Sequence, residues 1–147
     1  MDLHNIFLQA HRGFAYLALL IIALFIIALI ITLAGNSGKI SKFLRKTTLF
    51  TMILFHVQFL FGIIMLFMTS NFMNIIKEIG MGGLMKNADL RFSYIEHPFS
   101  MLIAAVLMTI INKKVKTSER LSVGILILSV IALAFVGYAF PFAKLFG

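Results

Sequence analysis

The chain has 147 residues, 61% of them hydrophobic and 12% charged, with a formal net charge of +8 and a mean hydropathy of +1.05. Soluble domains run at about 45–50% apolar and about 25% charged, so a water-facing fold does not fit and the bilayer is the expected solvent. The absence of cysteine excludes disulfides, thiolate metal sites and thiol catalysis, and basic residues gathered at the ends of apolar runs argue for membrane topology and against nucleic-acid binding.

Taken in chain order, Gly13 to Ala34 is apolar throughout and long enough for the about 20 residues that cross a hydrocarbon core. It lacks the basic start of a signal peptide and runs past the usual ~7–15 residues of its apolar region, so it reads as a permanent span. Gly35 to Lys46 carries turn residues and then Lys39, Lys42, Arg45 and Lys46 with no acid. Thr47 to Thr69 is the second span, interrupted by His56 and Gln58. The connection from Ser70 to Glu96 holds a Gly80-Met81-Gly82-Gly83 run and an interfacial helix expected over Phe72 to Ile79.

Pro98 suits the first turn of a third span, where its missing N–H costs nothing, and that span ends at Ile111. Asn112 to Arg120 is basic, and Leu121 to Pro141 is the fourth span. The first and third connections hold eight Lys/Arg and one acid, against five and four for the termini and middle loop. The positive-inside bias therefore predicts an up-down bundle of four transmembrane helices in a single domain, over 13–34, 47–69, 98–111 and 121–141, with both termini outside.

Ionisable side chains are expensive within a membrane, so His11, Arg12, His56, Gln58, Glu96 and His97 are the functional candidates. His11 opens the first span and His97 the third; alternate helices of an up-down bundle run parallel, so both fall at its outer end. Two neutral imidazoles facing across a bundle are a ligand set for heme iron. Small residues follow them on the same faces, Ala15 and Ala18 after His11, and Ala104 and Ala105 after His97, which leaves either a slot for a flat group or a close helix contact. One mismatch stands: at ~1.5 Å per residue the third span covers only ~21 Å and the first ~33 Å, which sets His97 deeper than His11 unless a helix tilts, starts late or runs on through Lys113 and Lys114. His56 is turned about 160° from the Thr51, Gln58, Gly62, Met65 and Thr69 stripe at about 100° per residue, so it is expected not to be a ligand. His4 is expected at the surface.

Three stretches carry a resemblance: Ala10-His11-Arg12, His56-Val57-Gln58-Phe59-Leu60-Phe61-Gly62 and Glu96-His97-Pro98. Together they are similar to one four-helix half of heme A synthase and to the small bacterial membrane proteins labelled cytochrome b. The resemblance implies heme b held by His11 and His97 in the bacterial cytoplasmic membrane, with electron transfer at the outer face. Quinol or a respiratory membrane complex would be the partner. Arg12 would pair with a heme propionate, and Glu96 would orient a histidine or cap the third helix. Leu8 and Gln9 stand where the family has a catalytic acid, and the family's external cysteine pair is missing, so the implied role is electron transfer and not the synthase reaction.

Two other readings remain open at this stage. One is a cofactor-free accessory or assembly subunit, packing on a partner through Gly62, Gly124 and Gly137 in a homo- or hetero-oligomer. The other is copper handling by Met68, Met73, Met81 and Met85.

Overall fold

A computed structural model describes residues 3–35 and 37–142. These form five helices: α1 (Leu3–Ala34), α2 (Lys42–Thr69), α3 (Phe72–Lys86), α4 (Ala88–Thr117) and α5 (Val123–Ala139). Three of them, α1, α2 and α4, are long and apolar enough to cross a membrane. The shorter α5 is apolar along its 17 residues, about 26 Å of helix. Exposed apolar side chains such as Leu20, Ile30, Phe50, Val106 and Val130 line the outward faces of these four helices. Water would not tolerate so much apolar surface, whereas lipid does.

Helix α1 packs on α2, α2 on α4 and α4 on α5. The core fills the half of the bundle nearest the basic connections, with Phe25, Ala28, Leu44, Ala104, Ala105, Met108, Ile111 and Ala132 buried together. Ala104 and Ala105 thus serve close helix contact rather than a slot. Buried hydroxyls there are satisfied by their own helices: Thr48 donates to the Leu44 carbonyl at 2.7 Å, Thr51 to Thr47 at 2.8 Å and Ser129 to Ile125 at 2.8 Å.

The two basic connections lie side by side. The Ile40 N–H donates to the Glu119 carbonyl at 2.8 Å, and that of Leu121 to Gly38 at 2.9 Å. Ser41 and Ser122 cap α2 and α5 through their hydroxyl oxygens. Arg45 donates to the carbonyls of Val115, Lys116 and Ser118 at 2.5, 2.6 and 2.7 Å, satisfying the open end of α4.

Four helices are longer than the sequence suggests; α2 begins at Lys42 and not at Thr47. α1 begins at Leu3, so His11 lies two turns inside it, and Phe7 of the added turns packs on Phe61 at 6.0 Å between ring centroids. α4 extends beyond 98–111 in both directions, through Lys113 and Lys114 to Thr117 and back to Ala88. Pro98 does stand in the first turn of the regular α-helical stretch His97–Thr117; a wider π turn over Phe92–Glu96 precedes it, in which the His97 N–H bonds five residues back to Phe92, and joins it to the turn Ala88–Arg91. Such a turn relieves the clash and the lost donor of an internal proline. This extension removes the depth mismatch between His11 and His97. α3 also runs beyond Ile79, kinked at Gly80, whose φ of 69° suits glycine.

Candidate functional site

The end of the bundle opposite the basic connections is hollow. A cavity of about 510 Å³ lies there between α1, α2, α4 and the end of α5, within the ~300–1,000 Å³ usual for small-molecule and cofactor sites. α1 lines it with His4, Leu8, His11, Ala15, Ala18 and Ile22, one stripe at spacings of three and four. Phe55, Gln58, Gly62 and Met65 of α2 face them, and Ser93, Tyr94, His97 and Met101 come from α4. The small side chains of α1, Ala15 and Ala18, border the space, and His11, Gln58 and His97 are polar side chains of the wall that lie well inside their helices.

His11 and His97 meet across this space. Their ring centroids are 6.2 Å apart with the planes at 81°. Two imidazoles on opposite faces of one first-row metal, each bonded at about 2.0–2.1 Å, hold their ring centres roughly 6.3 Å apart. Ring pairs in direct edge contact also fall within ~4.5–7 Å, so the distance alone does not separate the two arrangements. The surroundings favour a ligand pair. His97 Nδ1 donates to the Ala139 carbonyl at 2.7 Å, the bond by which metal-bound histidines are usually fixed in tautomer and orientation, with Nε2 as the ligating atom.

On the α1 side, Gln58 Nε2 donates to the His11 carbonyl at 3.1 Å. His11 Nδ1 and Gln58 Oε1 are buried and have no hydrogen-bond partner among the described residues. Orphaned atoms of this kind cost about 1–3 kcal/mol each and mark a place where a further group is expected. Gly62 adjoins the imidazole: a Cβ there would meet His11 Cε1 at 3.8 Å, an ordinary van der Waals contact, so only a larger side chain would crowd the ring. It borders the cavity. The volume, the facing imidazoles and the tethered His97 fit a heme, which His11 and His97 would hold; the two orphaned atoms need a separate polar partner.

Other candidates are placed differently. Arg12 borders the cavity. Glu96 does not: its carboxylate accepts from Arg91 Nε at 2.7 Å and from the Tyr138 hydroxyl at 2.8 Å, tying the start of α4 to α5. His56 points outward, donating through Nδ1 to the Met52 carbonyl at 2.8 Å and meeting the Thr109 hydroxyl through Nε2 at 3.3 Å. His4, expected at the surface, instead lines the cavity and lies 3.0 Å from Thr69 Oγ1 through Nδ1. Its spacing of seven from His11 was the sequence signal for this. Met68, Met73, Met81 and Met85 are exposed. Among the described residues no group of three or more His, Cys, Asp or Glu gathers as a metal-ion site; a heme iron asks only two ligands of the protein.

No known protein family, curated protein or solved structure matches the chain.

Proposed function

We propose that this protein is a multi-pass membrane protein that binds one b-type heme between His11 and His97 and passes electrons at that end of the bundle. The observation that carries the reading is the pair of imidazoles, 6.2 Å apart, at a cavity of about 510 Å³. When bound, heme would supply a one-electron carrier whose potential is tuned by the residues that hold it and by its burial. The residues of the chain supply the rest. Ala139 holds His97 in one tautomer, Gln58 braces the α1 backbone at His11, and Gly62 borders the cavity beside the ring. Arg12, at the cavity, is suited to a propionate because guanidinium matches carboxylate geometry.

In this reading α5 is the fourth span and the basic connections lie inside. The histidine end and both termini then face outward from a bacterial cytoplasmic membrane, in reach of quinol or of a respiratory membrane complex. The eight Lys/Arg on the first and third connections support that orientation.

The test is the visible spectrum of the purified protein, oxidised and dithionite-reduced. A low-spin b-type spectrum is expected, and His11→Ala and His97→Ala should each abolish it or convert it to high spin. The double variant should be little worse than either single one, because ligands of one centre do not act additively. No chromophore after expression with added hemin would leave the cofactor-free accessory reading. A spectrum that survives both substitutions would place the ligands elsewhere.

A further inference from the structure

At the basic end, the seam between α2 and α4 opens toward the lipid as a groove of about 250 Å³ lined by Arg45, Lys46, Leu49, Asn112, Val115 and Lys116. The facing stripes follow from helix spacing: Lys46, Leu49, Ile53 and His56 on α2, and Lys116, Asn112 and Thr109 on α4. The contact between Thr109 and His56 closes the seam at its deep end. This assigns His56 a place that the histidine cavity leaves unexplained.

Three features point to what the groove takes. Its three cations have no acid among the lining residues, and the one ion pair among the described residues, Arg91–Glu96, sits at the opposite end. Lys46 and Lys116, both exposed, add like charge to the groove from α2 and α4. Arg45 gives the floor a fixed positive charge, half-buried and held by the α4 carbonyls of Val115 and Lys116 and by that of Ser118 just past the helix end. Chemistry is also graded along the seam: ammonium groups at the level of Lys46 and Lys116, then the Asn112 amide, then apolar Leu49 and Ile53. A free phosphate would use only the first of these layers. A glycerophospholipid presents a phosphodiester, ester carbonyls and acyl chains in that same order.

We propose that this groove is a binding site for the phosphodiester of an anionic glycerophospholipid, held by Lys46 and Lys116 over Arg45, with the acyl chains running along the α2–α4 seam toward His56. The site rests on the membrane placement of the helices and is independent of heme binding. Basic pockets between membrane helices are where acidic headgroups are bound selectively.

The test uses the full chain in neutral detergent, titrated with phosphatidylglycerol, phosphatidylcholine or inorganic phosphate, and read by native mass spectrometry and by thermal melting. Phosphatidylglycerol should remain bound and raise the melting point, while the other two should do neither. Lys46→Gln/Lys116→Gln should weaken phosphatidylglycerol binding by about tenfold or more, and Lys46→Arg/Lys116→Arg should retain it, which separates lost binding from lost folding. Lys39→Gln/Arg120→Gln removes the same charge from the neighbouring loops and should leave binding intact. Equal loss in that control pair, equal binding of phosphatidylcholine or phosphate, or full binding by the Gln pair would each overturn the proposal.

Discussion

Gly62 offers a sharp test of the cavity because two substitutions there have opposite expected outcomes. It lies inside α2, and an added Cβ would meet His11 Cε1 at 3.8 Å, an ordinary van der Waals contact that displaces nothing. Alanine in a helix interior is better than glycine by about 0.8–1 kcal/mol, much of it through the unfolded chain. Gly62→Ala should therefore stabilise the protein by about 0.5–1 kcal/mol, raise its melting point by a few degrees and leave heme absorbance unchanged. Gly62→Leu sends its branch into the His11 ring or the cavity. Overpacking costs about 1–3 kcal/mol against the same propensity gain, so the net change is neutral to about 2 kcal/mol destabilising, with the space for the macrocycle filled. Heme occupancy, read as absorbance per protein after purification, should then fall at least several-fold. A destabilised or dissociated Gly62→Ala would show instead that this glycine packs on a partner helix, and a normal spectrum in Gly62→Leu would show that nothing binds beside His11.

Arg45→Met should lower thermal stability by about 2–3 kcal/mol, because three charge-assisted bonds to carbonyls at the end of α4 are lost at a half-buried site; an unchanged melting point would refute this. His56→Phe should leave any heme spectrum intact, since its ring bonds to Met52 and Thr109 on the outward side; loss of the chromophore would contradict that placement. For orientation, a cysteine at exposed Ser37 should be protected from an impermeant thiol reagent in intact cells, and one at exposed Lys86 should be labelled; the reverse labelling would invert the topology.

Much of this arrangement is written in the sequence because the membrane simplifies the problem. Apolar length and the absence of charge mark the long helices, and backbone groups in lipid must be satisfied within each segment, so helix is the expected answer. The stripe rule placed Thr51, Gln58, Gly62 and Met65 inward and His56 outward, as the structure has them. Helix order alone set His11 and His97, 86 positions apart, at the same end of the bundle; that their rings meet there followed only from the packing.

Tertiary structure decided the rest. The extent of α1 and α4 beyond their apolar runs depends on contacts such as Phe7 on Phe61, and on a π turn that accommodates Pro98, neither of which hydropathy registers. Whether small residues make a slot or a helix contact depends on what faces them: Ala15 and Ala18 border space, whereas Ala104 and Ala105, the same residue type on an equivalent stripe, are buried in the core. Glu96 likewise adjoins His97 in sequence, yet a helix sends consecutive side chains about 100° apart, and its carboxylate turns to Arg91 and Tyr138. Composition and spacing determine which faces are apolar, but only the packing of one helix against another determines which of those faces closes and which leaves a cavity.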